Sequence, residues 1–350
     1  MILAAAVALA TSWVQVAPTE QAAMTRSGTL YLAWASGGQL VFNDPSFLET
    51  EPIAPAPDVR PAFFPGGDGL RVVTGGVSAT SLDGTAWRVE PNAATGEVSA
   101  VELASGEPLV AWEAGGHVHA GATDYGPGAF PALAADPRGA MLAWFADGVR
   151  VRGVEPQAVA AEMPGTAGLA AGRPSLAVTG GRSVVAFRDQ VWTAGAPSTL
   201  RLERATESAV SADARGRVWA TWTDGARVWT ARSDRDVSEL GAAVDLGALP
   251  ASHLQVNATN TAAHVLAAAN GVSYLRRVLP GLTLEERHRR EIFTFSVTDA
   301  GEPVRGAVVK VRGRSGKTDR NGRVTLRVSG RKARVTATLK GYTSARLTTK

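Results

Sequence analysis

The sequence lacks cysteine altogether. A disulfide framework, a thiolate metal site and a cysteine nucleophile are therefore excluded. Lysine is absent before Lys310, and only four tyrosines and five histidines occur among 350 residues. No apolar run is long enough for a membrane-spanning helix, and no GxGxxG loop, P-loop or His-Glu-x-x-His pattern is present. We therefore predict no cofactor and no metal centre.

The chain does have a recurring run of short apolar stretches separated by turn residues. In the clearest copy, residues 130–155, the turns Asp136-Pro137-Arg138-Gly139 and Asp147-Gly148 separate three strand-like segments. Gly accepts positive φ and Asp bonds its own backbone, so both sequences are typical of tight turns. Other copies recur 34 to 44 residues apart, and their first strands begin near Pro61, Glu97, Pro131, Pro174, Ser208 and Ser252.

A unit of about forty residues with an apolar period of two is typical of a β-propeller. With a weaker copy at residues 28–42, the sequence predicts an all-β chain whose residues 21–282 form a seven-bladed β-propeller. Six blades are the alternative, if the copy at 28–42 or the copy at 61–87 is irregular.

The first twenty residues begin with a short apolar run that suits the h-region of a signal peptide. No Lys or Arg precedes this run, and Pro18 follows the obvious cleavage position after Ala17. We interpret residues 1–20 as a signal segment and expect an exported protein. An apolar first strand is the alternative.

Charge is distributed unevenly along the chain. Residues 286–350 hold 17 basic and 5 acidic residues, whereas the rest of the chain holds 19 basic and 27 acidic residues. Such an asymmetry predicts two domains with different surfaces. We place a solvated linker at the charged run 283–290 and a second domain at residues 291–350.

Residues 291–350 consist of short strand-like runs joined by tight turns, which predicts a small β-sandwich. The stretches VTDAGEPVRGAVVKV (297–311), TDRNGRVTL (318–326) and KGY (340–342) resemble the carboxypeptidase regulatory-like, transthyretin-type domains. The resemblance implies an accessory module without catalysis of its own. Its basic strands lack the exposed aromatic residues that base stacking uses. We expect contact with anionic surfaces and no specific nucleic acid.

Residues 81–87, SLDGTAW, are similar to the Asp-box of sialidase-like (BNR-type) propellers, although one residue is missing. The repeats resemble this scaffold, which implies a fold and does not imply an activity. The three-arginine cluster and the Tyr/Glu nucleophile pair of sialidases are not recognisable in the sequence.

The repeats also contain aromatic and histidine residues of the types that bind sugars or metals. His117 and His119 point to one face of a strand, but zinc requires further ligands, so we expect an ordinary surface pair. Four tryptophans hold one repeat position, and a repeated position is usually a core position. We expect them to fill the gaps between blades, with sugar stacking as the alternative: Trp34, Trp112, Trp144 and Trp222.

The candidate binding site is a set of polar residues that a propeller would place on one face. Its acids follow the tryptophan position at the second hairpin turn of a repeat, and its arginines precede an inner strand or neighbour one of these acids. Carboxylates and guanidiniums together can hold a polar ligand or act as acid and base, although turn chemistry also explains Asp at these positions. The candidates are Arg60, Glu113, Asp147, Arg173, Arg188, Asp189 and Asp224.

These observations predict an exported, non-enzymatic recognition protein that binds a carbohydrate polymer or an envelope protein at one propeller face. The alternative is a sialidase-like glycoside hydrolase, or another carbohydrate-active enzyme, that uses the same polar rim. A converging nucleophile, acid and electrophile would indicate the enzyme, and the sequence does not assemble such a trio.

Overall fold

The computed structural model describes residues 12–27, 29–43, 51–66, 69–155, 158–328 and 332–349. Within these ranges the regular elements are β-strands, and they form nine four-stranded sheets. The described residues contain no helix of the length and apolarity needed to span a membrane. The predicted all-β class is therefore confirmed.

Six of the sheets each consist of four consecutive antiparallel strands. The first has β2 (Ala22–Ser27), β3 (Thr29–Ser36), β4 (Gln39–Asn43) and β5 (Glu51–Pro55). The second has β6 (Ala62–Gly66), β7 (Gly69–Thr74), β8 (Val77–Ser81) and β9 (Arg88–Pro91). The third has β10 (Val98–Glu102), β11 (Pro108–Ala114), β12 (His117–Ala120) and β13 (Thr123–Pro127).

The next three sheets repeat this order. The fourth has β14 (Ala129–Asp136), β15 (Gly139–Phe145), β16 (Val149–Gly153) and β17 (Ala161–Glu162). The fifth has β18 (Ser175–Thr179), β19 (Arg182–Phe187), β20 (Gln190–Thr193) and β21 (Leu200–Arg201). The sixth has β22 (Glu207–Ala212), β23 (Val218–Thr223), β24 (Arg227–Arg232) and β25 (Val244–Ala248).

The seventh sheet takes its outer strand from the beginning of the chain. It consists of β26 (His253–Ala258), β27 (Ala263–Ala269), β28 (Val272–Val278) and β1 (Val14–Ala17), which pairs antiparallel with β28. Glu20 accepts a hydrogen bond from Gly271 N at 2.8 Å. Residues 1–11 of the predicted signal segment lie outside the described residues, whereas Val14–Ala17 is a strand, so the sheets extend further toward the N-terminus than the predicted boundary at residue 21.

The first strands of the seven sheets, which we call the inner strands, lie side by side in chain order, and the last, β26, contacts the first, β2. Side chains also join them. Ser175 Oγ accepts a hydrogen bond from Val210 N at 3.0 Å. Gln255 accepts from Met24 N at 2.9 Å and donates to Met24 O at 3.1 Å, across 231 residues of sequence. This arrangement is of the propeller type, as the repeats predicted.

The repeated tryptophan position packs one sheet against the preceding sheet. Trp144 on β15 is 2% exposed and packs with Ala111 and Val118 of the third sheet. Trp34 is buried with Leu266 of the seventh sheet. Trp222 and the half-buried Trp112 contact the fifth and second sheets in the same way. The expectation that these side chains fill the gaps between sheets is confirmed, because an indole ring contributes a large buried area there.

Two further sheets follow. One contains β29 (Thr283–Arg289), β30 (Ile292–Asp299), β31 (Glu302–Pro303) and β34 (Arg323–Arg327), and the other contains β32 (Val308–Val311), β33 (Arg314–Lys317), β35 (Arg334–Thr338) and β36 (Ala345–Thr348). Both contribute to one hydrophobic cluster that includes Phe295, Val297, Val309 and Val335.

The predicted linker at residues 283–290 is wrong, because Thr283–Arg289 forms strand β29 and pairs along its length with β30. Leu284 packs against the cluster shared by the two sheets, while most of the charged side chains of the strand are exposed. Charged side chains are common on edge strands, where they oppose edge-to-edge aggregation. Dense charge in this sequence therefore marked an edge strand.

Buried ion pairs connect these C-terminal sheets to the sixth sheet. Asp299, which is 2% exposed, accepts a hydrogen bond from Arg217 Nη1 at 3.0 Å. Arg232 Nη2 donates to the same carboxylate oxygen. The guanidinium carbon of Arg232 also lies 5.5 Å from the ring centre of Trp219 and 5.9 Å from that of Tyr342. A single carboxylate thus holds two arginines that are far away in the sequence.

Candidate binding site at the channel mouth

The inner strands enclose a cavity of about 580 Å³, within the range of ordinary ligand sites. Its walls are mostly small side chains, such as Ala62, Ala132 and Ser175. Charged residues gather at the end where the inner strands begin. We call this end the channel mouth and define it by five residues that line the cavity directly before an inner strand or at its start: Arg60, Glu97, Phe130, Arg173 and Glu207.

Local sequence places two of these residues. Arg60 and Arg173 each precede a proline, Pro61 and Pro174, just before β6 and β18. A proline disfavours the helical region for the residue before it, so both arginines are held in extended backbone. Their side chains consequently line the cavity at the same position of two different sheets.

The Arg173 side chain crosses the end of the fourth sheet at the channel mouth, between Glu97 and Phe130. Its Nη1 donates to Glu97 of the third sheet, and its guanidinium carbon lies 5.2 Å from the ring centre of Phe130. Burial and the neighbouring charge of Arg60 lower the pKa of Arg173 to about 10. Arg173 remains charged at neutral pH, since about 10 is still well above 7.

Glu207 and Arg60 form the other half of the mouth. Glu207 Oε1 accepts a hydrogen bond from Leu254 N at 2.9 Å. Burial raises the pKa of Glu207, although this hydrogen bond and the two arginines act in the opposite direction. Burial also lowers the pKa of Arg60 against the opposing charges of Glu207 and Glu20. Arg60 Nε is buried and has no hydrogen-bond partner among the described residues.

His253 lies beside this group. Together with Arg60 and Glu20 it lines a small space that is too tight to hold a water molecule. Burial, followed by the charges of Arg60 and Arg173, lowers the pKa of His253 to about 4. The imidazole is therefore neutral at physiological pH.

Three of the seven predicted residues line the cavity, namely Arg60, Arg173 and Glu113. Glu113 lies slightly further out, where its Oε1 accepts a hydrogen bond from Gly116 N at 3.1 Å. Glu97 and Glu207 also line the cavity and are absent from the residues predicted from the sequence. Their position in the repeats could have predicted them, because Glu97 and Glu207, like Arg60 and Arg173, lie directly before or at the start of an inner strand.

The other four predicted residues, Asp147, Arg188, Asp189 and Asp224, do not line the cavity. Asp147 is an exposed turn residue with a φ of 54°. Asp189 pairs with Arg201 of its own sheet, and Arg188 donates to Ala170 O at 3.0 Å. Asp224 accepts hydrogen bonds from Ala226 N and Arg227 N, which lower its pKa. Local contacts account for the placement of these four side chains, and the structure does not bring them to the cavity.

The histidine pair and the Asp-box-like turn lie elsewhere. His117 Nδ1 is 3.0 Å from Asp124 Oδ2, and His119 stacks on Trp112. In the described part of the chain, no group of three or more His, Asp or Glu side chains is placed to hold a metal. Between β8 and β9, Asp83 Oδ1 accepts hydrogen bonds from Thr85 N and Thr85 Oγ1 at 2.9 and 2.7 Å. This motif stabilises its own turn.

Comparison with known proteins finds no matching family model and no matching curated protein. Solved structures that match this chain include Sqt1 of Saccharomyces cerevisiae, with 7% identity and a TM-score of 0.44 over 77% of this chain and 98% of that chain. Hsv2 of Kluyvelomyces marxianus is 13% identical, with a TM-score of 0.41 over 63% of this chain and 83% of that chain.

Proposed function

We propose that this protein is an exported, non-enzymatic recognition protein that binds a polymer or protein partner through the channel mouth. One observation supports this most strongly: Arg60, Glu97, Arg173 and Glu207 come from four separate sheets and line a single cavity. Burying charged side chains is costly unless they are paired or bind something. Polar groups that converge on one cavity are a usual feature of a ligand site.

We further propose that the seven sheets are the blades of one closed seven-bladed propeller. The contact between β26 and β2, and the pairing of β1 with β28, support closure. The proposal of export rests on the apolar residues 2–10. If a signal segment is cleaved from this chain, the cleavage must occur before Val14 for strand β1 (Val14–Ala17) to remain in the seventh sheet.

The C-terminal sheets are proposed to form a transthyretin-type sandwich that contacts a polyanionic polymer. Across the outer face of one sheet, Ser315, Lys310, Thr336 and Arg346 are successive neighbours on four strands. The strands β32, β33, β35 and β36 contain no acidic residue. A basic face without acids attracts anionic partners through its charge alone.

A binding experiment with the purified full chain tests the main proposal. Glycan, polysaccharide and peptide arrays would be probed with wild-type protein and with a variant in which Arg60 and Arg173 are both changed to Ala. Hydrolysis of the same panel would be measured in parallel. The matched control changes Arg138 and Arg215, which lie in exposed first hairpin turns at the opposite ends of the inner strands, to Ala.

We expect the mouth variant to lose binding and the control to retain it. Equal loss from both variants would contradict the assignment to the channel mouth. Turnover of a glycan that disappears in the mouth variant would instead support the carbohydrate-active enzyme.

A further inference from the structure

The charges at the channel mouth compensate one another. Arg173 pairs with Glu97. Burial lowers the pKa of Arg60, and the charges of Glu207 and Glu20 oppose this effect. A ligand with a net negative charge would approach these glutamates, whereas a ligand with a net positive charge would approach the two arginines. Either ligand would disturb pairs that are already formed, and leaving a partly buried charge unpaired is costly. The balance therefore favours a ligand without net charge.

The same groups keep hydrogen-bonding capacity toward the cavity. Arg173 donates to Glu97 through Nη1 alone, and Leu254 N bonds only Oε1 of Glu207. Among the described residues, Oε2 of both glutamates and Nε and Nη2 of Arg173 have no hydrogen-bond partner, and none of these atoms is buried. A carboxylate oxygen accepts hydrogen bonds and a guanidinium donates several. The mouth thus presents acceptors and donors side by side.

Hydroxyl groups continue this polar surface into the channel. Ser99 and Ser211 line the cavity, two residues after Glu97 and four after Glu207, so they lie on the same strand faces as these glutamates. Their Oγ atoms accept hydrogen bonds from the next inner strand, at 2.9 Å for Ser99 and 3.1 Å for Ser211. Each hydroxyl still has its own proton to donate. The channel can therefore hydrogen-bond a ligand beyond the mouth as well.

Phe130 holds the Arg173 guanidinium in place. Its φ is 54°, which is unusual for a bulky side chain, and Pro131 restricts the same backbone further. The Phe130 ring packs against the cluster between the fourth and fifth sheets and lies 5.2 Å from the guanidinium carbon of Arg173. Strained backbone of this kind is concentrated at binding and catalytic sites. Arg173 is thus a donor that is positioned before a ligand binds, which lowers the entropic cost of binding.

A sugar chain matches these neighbouring donors and acceptors better than a peptide backbone does. A sugar hydroxyl both donates and accepts hydrogen bonds. Two adjacent hydroxyls can therefore bond a carboxylate oxygen and a guanidinium that lie side by side. In a planar trans peptide the N–H and the C=O point in opposite directions, so one peptide unit cannot bond both groups at once.

We propose that the channel mouth binds a neutral oligosaccharide, whose hydroxyl groups donate to Glu97 and Glu207 and accept from Arg173. Ser99 and Ser211 bond sugar hydroxyls deeper in the channel. This inference rests on the proposed function and names the chemical class of its ligand.

The test measures the binding of matched hexasaccharides to the purified full chain by calorimetry. Fully methyl-esterified hexagalacturonate is neutral, and hexagalacturonate is its anionic counterpart. The chitin hexamer is neutral, and the glucosamine hexamer is its cationic counterpart. Cellohexaose and maltohexaose extend the neutral set, and acetyl-Gly-Gln-Gly-amide tests an amide side chain. We expect a neutral hexamer to bind with little dependence on salt, and the charged hexamers and the peptide to bind about tenfold more weakly or less.

Two variants shift the charge of the mouth in opposite directions. Glu97→Gln leaves Arg173 without its pair, so the neutral hexamer should bind about tenfold more weakly and hexagalacturonate more tightly. Arg173→Gln should weaken the neutral hexamer similarly and favour the glucosamine hexamer. The matched control is Arg201→Gln, since Arg201 pairs with Asp189 outside the cavity, and its affinities should equal those of wild type. Tryptophan fluorescence would verify that all three variants fold.

The inference is overturned if a charged hexamer binds the wild-type protein as tightly as its neutral counterpart, or if no neutral hexamer binds. It is also overturned if folded Arg173→Gln keeps wild-type affinity for the neutral hexamer. The arrays decide the proposed function separately. A peptide or a charged polymer that requires Arg60 and Arg173 would support binding at the mouth and contradict a neutral sugar, whereas binding of nothing at the mouth would contradict both.

Discussion

Replacement of Asp299 by Asn should uncouple the C-terminal sheets from the sixth sheet. The Asp299 side chain is 3% exposed, and its partners Arg217 and Arg232 are 10% and 6% exposed. The substitution keeps the shape of the side chain and removes its charge, so Arg232 loses the carboxylate it pairs with and Arg217 keeps only its pair with Glu302. Removing one partner of a buried ion pair typically costs about 3–5 kcal/mol. We expect the contact between the C-terminal sheets and the sixth sheet to be destabilised by about this amount.

The two parts of the chain can be followed separately. All nine tryptophans precede residue 280, so tryptophan fluorescence during urea unfolding reports the seven sheets. Hydrogen exchange of the β30 amides reports the C-terminal sheets. In the wild-type protein we expect both probes to change together. In the variant, exchange of β30 should rise at lower urea concentration than the change in fluorescence.

Glu302→Gln is the matched control for this prediction. Glu302 also pairs with Arg217, but its side chain is 36% exposed, and its second partner, Arg235, is 66% exposed. Exposed ion pairs contribute about 0–1 kcal/mol, so this variant should remain close to wild type. Indistinguishable unfolding of the two variants would refute the reasoning that burial makes Asp299 decisive. Joint replacement of Asp299, Arg217 and Arg232 by apolar residues should recover stability, because a packed apolar group needs no counter-ion.

Three further predictions follow from other parts of the fold. Trp144→Ala should lower the free energy of unfolding by about 3–5 kcal/mol, because Trp144 is 2% exposed between two sheets; an unchanged urea midpoint would place it at the surface. In the folded protein the pKa of His253 is lowered to about 4, so between about pH 4 and 6.5 the unfolded chain binds more protons and wild-type stability rises with pH. His253→Gln should therefore flatten the pH dependence of stability in this window. Parallel stability curves for variant and wild type would contradict this. Changing Lys310 and Arg346 to Glu should abolish the salt-sensitive retention of the protein on a dextran sulfate column. The matched control, in which Arg320 and Arg323 are changed to Glu, should still be retained. Binding to phosphatidylserine vesicles without binding to dextran sulfate would indicate that the partner is a lipid surface.

Much of the fold could be predicted because strands and turns are encoded locally. Asp147-Gly148 requires a positive φ at Asp147, which the structure has at 54°, and an apolar period of two identifies the strands on either side. The closing strand β1 could not be predicted in this way. Its pairing with β28 joins residues about 260 positions apart, and no local pattern in either segment specifies such a partner.

Strand β29 was missed for a related reason. Its sequence, TLEERHR, has one clearly apolar residue, and charge of this density is also typical of solvated linkers. An edge strand needs only one paired side, here with β30, so its apolar content can be low. The decisive interaction is the backbone ladder, which leaves no trace in side-chain composition.

The repeats place two kinds of polar residue on the same face, but only one of the two kinds lies at the central cavity. Residues in second hairpin turns, such as Asp147 and Asp224, lie between the second and third strands of a sheet and are held by their own turns. Residues at the start of an inner strand, such as Arg60 and Glu207, lie next to the central cavity. In a ring of sheets the distance from the axis therefore decides which side chains can meet, and the inner strand alone brings distant positions together. Charge at that one repeat position is the feature of the sequence that points most directly to a shared ligand.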